Sequence, residues 1–268
     1  MFLQSTFDLV ASLILCTAVS IALVFHSHAV WGVFGMGIIW AGNTLAKSAN
    51  TNSTSVKWER GFTDWFIVIK SATSAVGVIL MNIFRQYGWY TNNTHITTVL
   101  FLDLNILEAM IRECELGFYT NAAVAFGLMC TIPFSLARET ILSLGDETLQ
   151  SRLFVFPLSL PWVIIYTSWN ACFSYGDNMS WQTRLILIPP ILIARYFNMK
   201  LWLGARVLLL LLHLILRAIQ VVWFYQPGRS FLTPVAGSID NSRFVCRLWG
   251  HTNLVVFCAY ACFLFLRE

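Results

Sequence analysis

Charge is scarce in this chain. Asp, Glu, Lys and Arg make up 11% of the 268 residues, against about 25% in an ordinary soluble domain. Hydrophobic residues fill the difference at 57%, where about 45–50% is usual. So few ionisable groups cannot clothe so much apolar surface, so lipid has to be the solvent for much of it. Disorder and a collagen-like fibre are excluded with the soluble domain. No run of five or more like charges occurs, and the net charge of +4 is scattered, which removes nucleic acid as a partner.

Other absences narrow the chemistry. No Cys-x-x-Cys pair exists among Cys16, Cys114, Cys130, Cys172, Cys246, Cys258 and Cys262. They read as small buried hydrophobes rather than zinc ligands. No G-x-G-x-x-G, P-loop, H-E-x-x-H or G-x-S-x-G motif is present. The residues therefore specify no metal, no catalytic group and no cofactor. Internal repeats and domain linkers are also missing, which leaves residues 1–268 as a single transmembrane helical domain.

What is present is a succession of apolar stretches near the length of about 20 residues that a spanning helix needs. Nine are visible, at 7–25, 30–46, 62–84, 96–113, 122–136, 154–174, 185–197, 201–224 and 254–266. This predicts an all-α, polytopic bundle of about nine spans. Pro189-Pro190 should kink or break the seventh, and eight spans with a re-entrant seventh is the rival. Pro157 and Pro161 predict a bend in the sixth. The first stretch carries Asp8 and no basic flank, so it reads as a helix although Ser27-His28-Ala29 imitates a cleavage site. Hydrophilic connections are expected at 47–61 and 226–250. Trp58, Trp65, Trp89, Trp181, Trp202 and Trp223 lie near span ends, as an interfacial belt would. Basic residues divide eight against six between the two sides and decide no orientation. The sequons at Asn52 and Asn178 favour an outside N-terminus and a cytoplasmic C-terminus, with Arg85 and the sequon at Asn92 on the cytoplasmic side. Which membrane is not specified.

Ionisable groups at membrane depth are costly, so their distribution over helix faces carries the functional reading. In the fourth stretch Asn105, Glu108, Arg112 and Glu115 fall within about 80° of one another. Glu108 and Arg112 stand at i, i+4, which predicts an ion pair between them facing the bundle interior. Asp103 points elsewhere. In the eighth stretch Arg206, His213, Arg217 and Gln220 fall within about 60°. Cations beside an imidazole suit anion binding or proton-coupled movement; a packing network is the other reading. Leu208, Leu211 and Leu212 should face lipid or packed helices. The third stretch places Lys70, Thr73, Ser74 and Gly77 on one side, where hydroxyls favour close helix packing. Lys70 needs a partner, and by depth that partner is Glu108. Thr167, Asn170 and Ser174 share a face of the sixth stretch beside Trp169.

The element Asn105-Ile106-Leu107-Glu108-Ala109-Met110-Ile111-Arg112 resembles the signature of an uncharacterised, mainly bacterial membrane family, domain-of-unknown-function family 5692. Matches in the same order are Trp65 with Ser71 to Gly77, Trp169-Asn170, and Trp202-Leu203 with Arg206. They cover roughly residues 62–224. The resemblance implies a multi-helix membrane protein with its C-terminus inside, and it implies no particular activity. The chain departs from the family in less basic loops and a longer connection after Phe224.

Three functions fit these residues. The first is a small transporter or channel for an anion or a proton-coupled polar solute. Its pathway would be lined by Lys70, Asn105, Glu108, Arg112, Asn170, Arg206, His213, Arg217 and Gln220. The second is a structural or accessory subunit, whose stripes would be sockets for partner subunits or a second copy. The third is a membrane-embedded enzyme acting on a lipid or isoprenoid, with Asp103, Glu108 and Glu139 as acid, base or metal ligands. The clustered Asp motifs of such enzymes are absent. The lipid bilayer is the partner common to all three.

Overall fold

The computed structural model describes residues 2–26, 28–32, 35, 65–87, 92–135, 155–176, 187–223 and 239–266. The described residues form an all-α fold. Its helices are α1 (Phe2–Phe25), α2 (Trp65–Tyr87), α3 (Asn92–Leu116), α4 (Tyr119–Ser135), α5 (Leu160–Gly176), α6 (Ile188–Tyr196), α7 (Trp202–Trp223) and α8 (Ile239–Leu266). A 3-10 turn, Met199–Leu201, leads into α7.

Local chemistry sets the boundaries. The α3–α4 junction is a tight reversal around Gly117, whose φ of 79° only glycine adopts without strain. The Gly117 N–H donates to the Cys114 carbonyl at 3.1 Å and the Phe118 N–H to the Glu113 carbonyl at 2.9 Å, the double closure that ends a helix in a left-handed residue. At the start of α5 the Ser159 hydroxyl accepts from the Trp162 N–H at 3.4 Å and contacts the Tyr260 hydroxyl at 3.0 Å. The Arg85 guanidinium closes α1, donating to the carbonyls of Leu23 at 3.1 Å and Val24 at 2.6 Å.

Helix α3 packs on α2, α4 and α5, and α8 packs on α4 and α5; on the other side α7 packs on α1, α2 and α6. An aromatic stripe on α5 fills the centre. The rings of Trp162 and Tyr166 stack at 5.2 Å, Tyr166 meets Trp169 edge-on at 5.4 Å, and Trp169 stacks on Phe173 at 6.4 Å. Gly127 on α4 has no Cβ, and the Phe257 ring of α8 occupies the space one would need. On α8 the buried Cys246, Gly250, Asn253 and Tyr260 recur at helical spacing, while Phe244, Leu248, Val255 and Phe263 are exposed. That is a two-faced helix, with one side packed on protein and large apolar side chains exposed on the other.

Among the described residues one helix, Arg243–Leu266, is long and apolar enough to cross a membrane, with a mean hydropathy of 1.5. Leu13–Phe25 and Tyr119–Ile132 are shorter apolar helices.

Several expectations need correction. The last helix begins at Ile239, inside the hydrophilic connection expected at 226–250. The sixth stretch is not one bent helix: 155–159 is non-helical, and α5 starts beside Pro161. Pro189 and Pro190 likewise open α6 rather than break it, because the first turn has no intrahelical use for their missing N–H groups. Trp202 is no belt residue. It is 2% exposed and packs edge-on against Trp162 and Tyr166. Arg85, expected at a basic span end, is 2% exposed. Most of the second stretch, the 47–61 connection, Asn52, Asn178 and Glu139 lie outside the described residues.

Candidate functional site

Four helices, α2, α3, α5 and α7, each contribute a polar side chain to one buried cluster. Lys70 of α2 donates from Nζ to the Asn105 backbone carbonyl at 2.7 Å and also to its side-chain Oδ1. Glu108, one turn further along α3, holds Oε2 3.4 Å from the same ammonium, an ion pair without the alignment of a hydrogen bond. The Phe66 ring lies below, its centroid 6.0 Å from Nζ. Across the cluster Arg206 of α7 donates from Nη2 to Asn170 Oδ1 on α5 at 3.3 Å. Lys70 and Arg206 are near enough to repel each other.

Burial makes the arrangement costly. Lys70 is 9% exposed, Glu108 4%, Arg206 6% and Asn170 9%. Among the described residues Arg206 Nε and Nη1, Trp202 Nε1 and both Glu108 oxygens have no hydrogen-bond partner. Trp202 precedes Arg206 by one turn, so the open donors share one face of α7. An unmade hydrogen bond at a buried group costs about 1–3 kcal/mol, and more when the group is charged. Two cations against one carboxylate leave a net positive charge that an anion would neutralise.

A cavity of about 60 Å³ adjoins the cluster between α2, α3 and α7. Asn105, Thr73 and Ser74 line one end, and Phe84, Thr97 and Thr98 the other. Asn105 belongs to both features: it borders the cavity and holds Lys70.

Further along α3 lies a second polar cluster of opposite character. Glu113 accepts from Asn121 Nδ2 and from Trp169 Nε1, the latter at 3.1 Å. Asn121 Nδ2 also reaches the Trp169 carbonyl at 3.3 Å, and its Oδ1 accepts from Asn253 Nδ2 at 3.2 Å. Asn253 Oδ1 accepts from Ser168 Oγ at 2.7 Å, and Ser168 accepts from Trp249 Nε1 at 3.0 Å. The chain of bonds ties α3, α4, α5 and α8 together.

The structure thus brings together Lys70, Asn105, Glu108, Asn170 and Arg206. The expected Glu108–Arg112 pair is not formed. Arg112 pairs with Glu115 at 3.1 Å, with side chains 23% and 42% exposed. Glu108 lies one turn deeper and meets Lys70, the partner its depth suggested. Asp103 stands apart, its Oδ1 buried without a hydrogen-bond partner among the described residues. The side chains of His213, Arg217 and Gln220 lie outside the described residues, while Leu208 and Leu211 are packed in the interior. Sequence reasoning missed the Glu113 network, because its members come from four helices and follow no single periodicity. The usable signal was slight: Glu113, Asn121 and Asn253 stand at or just outside the ends of apolar stretches, and Ser168 stands beside the polar face of the sixth. Comparison of the chain with protein-family models, curated proteins and solved structures gives no match.

Proposed function

We propose that this protein is a multi-pass membrane transporter or channel that moves a small anion or a proton-coupled polar solute past the Lys70–Glu108–Arg206 cluster. The observation that carries the reading is the set of open donors on Arg206 and Trp202, buried beside a second cation. Such groups, left unpaired, are destabilising, and proteins tolerate that cost where function uses the groups. Asn105 and Glu108 belong to the element by which the chain resembles family 5692, and membership of that family is part of the proposal.

The topology we propose has about nine spans, an outside N-terminus and a cytoplasmic C-terminus. Helices α2, α3, α7 and α8, of 23, 25, 22 and 28 residues, exceed the roughly 20 residues a crossing requires. Helix α6, at nine residues, is the segment that an eight-span arrangement would make re-entrant. Glycosylation at Asn92 in a competent host would overturn the orientation.

Reconstitution into liposomes tests the function. With a panel of chloride, nitrate, acetate and octanoate, the wild type is expected to show flux for at least one monoanion. Glu108→Gln and Arg206→Gln should each change it. No flux for the panel, or for neutral polar solutes under a proton gradient, would contradict the reading.

A further inference from the structure

We propose that Cys172 and Cys246 are joined by a disulfide in the mature protein, a covalent staple between α5 and α8 beside the Glu113 network. The inference stands apart from the transport reading and takes only its orientation from the topology proposed above.

Contact is the first warrant. Helices α5 and α8 run antiparallel: Ser159 meets Tyr260, Ser168 meets Asn253 and Cys172 meets Cys246. The Cys172 thiol donates to the Cys246 backbone carbonyl at 3.5 Å, across 74 positions of sequence. The two thiols also hydrogen-bond each other. Gly176, one turn beyond Cys172, leaves room for the second sulfur, since a Cβ there would stand 3.4 Å from Cys246 Sγ. Both sulfurs thus fill one gap between two helices, the close approach that a disulfide needs.

Selection is the second warrant. All seven cysteines are thiols in the structure. Cys114, Cys130, Cys258 and Cys262 are exposed and Cys16 is half-buried, whereas Cys172 and Cys246 are each 2% exposed. The two cysteines withdrawn from the surface are the two that touch.

Position is the third. The apolar span of α8 starts at Arg243, so Cys246 lies three residues, about 4.5 Å, inside it. With a cytoplasmic C-terminus this end of α8 is extracytoplasmic. Cys172 lies at the matching end of α5, six residues before the sequon at Asn178. Disulfides form and persist in the oxidising compartments on that side of a membrane. The oxidant is an external disulfide. The thiolate of one cysteine attacks it and expels one thiolate; the other cysteine attacks the mixed disulfide and expels the second. The two protons lost from Cys172 and Cys246 go to the expelled thiolates, so the external disulfide ends as two thiols. Burial then shields the new bond from further exchange. The bond closes the chain around α6 and α7 and so constrains the unfolded state.

The test uses the full chain expressed in a host with an oxidising compartment, quenched with N-ethylmaleimide before lysis and denatured in the same reagent. Of the seven cysteines, all but the bonded two should be alkylated, and all seven after reduction. Mass spectrometry of the digest should show the Cys172 and Cys246 peptides linked, lighter by two hydrogens than their sum. Cys172→Ala and Cys246→Ala should each lose this species. Cys130→Ala, on an exposed position of α4, should keep it. Full alkylation without reduction, or a link through any other cysteine in the wild type, would overturn the proposal. After full alkylation, a parallel unquenched sample incubated folded with oxidised glutathione separates the causes. A Cys172–Cys246 bond formed only then would overturn the native disulfide by placing this end of α8 in a reducing compartment, against the orientation proposed above. No bond even then would overturn the contact itself. Neither result touches the anion reading.

Discussion

Glu108 and Glu113 are carboxylates on one helix, about 7.5 Å apart along its axis, and both are buried, at 4% and 1% exposure. Around Glu113 the donors converge: Asn121 and Trp169 bond the carboxylate, and Asn253, Ser168 and Trp249 extend the chain. Around Glu108 they do not. Lys70 approaches at 3.4 Å, while Arg206 and Trp202 keep donors unused. A satisfied buried network rigidifies the helices it joins. A half-satisfied one costs stability, and the α2–α3–α5–α7 interface carries that cost next to a cavity. The difference lies in whether donors converge on the carboxylate, on one and the same helix.

Substitutions can break or sharpen this contrast. The largest stability loss is expected from Asn121→Ala, which leaves Glu113 and Asn253 each short of a partner and should cost roughly 2–4 kcal/mol. Thermal unfolding in mild detergent checks it, and a loss under about 1 kcal/mol would mean the network fastens nothing. Gly127→Ala drives a methyl into the Phe257 ring and should cost about 1–3 kcal/mol by overpacking α4 against α8. An unchanged melting temperature would show that α8 shifts freely. The double substitution Lys70→Met with Glu108→Leu should leave stability within about 1 kcal/mol of wild type or raise it, since apolar replacement of a buried pair is often neutral or better. It should abolish flux all the same, and retained flux would place the pathway elsewhere. Smallest is Arg112→Ala, which removes a partly exposed pair worth at most about 0.5 kcal/mol; a loss as large as that of Asn121→Ala would give Arg112 an interior role.

The legible part of the site follows from depth. A cation such as Lys70 inside an apolar helix has to meet an anion at its own level, and Glu108 was the one available. The local i, i+4 rule pointed instead to Arg112, and tertiary packing overrode it: Arg112 lies nearer the helix end, where it reaches Glu115 and water. Arg206 stood in a stripe with His213, Arg217 and Gln220, and Asn170 on a face with Thr167 and Ser174, but nothing in their spacing paired the two. Glu113 was hidden for the same reason, since Asn121, Trp169 and Asn253 reach it through the Gly117 reversal and the packing of α8. The all-α fold was plain in the apolar stretches. Helix starts were not, because Pro161, Pro189 and Pro190 act as first-turn residues, and Asp240 to Arg243 hide a helical turn in polar sequence.

The most direct test of the division between the two clusters is anion-dependent thermal stabilisation, measured on three forms of the protein in nanodiscs with acetate as the probe. A ligand bound at the Lys70–Glu108–Arg206 cluster stabilises the folded state by mass action. The wild type should gain melting temperature with acetate, and Arg206→Gln should gain none. Asn121→Ala should start lower and gain as much as the wild type. Equal gains in wild type and Arg206→Gln, or loss of the gain in Asn121→Ala alone, would contradict the account.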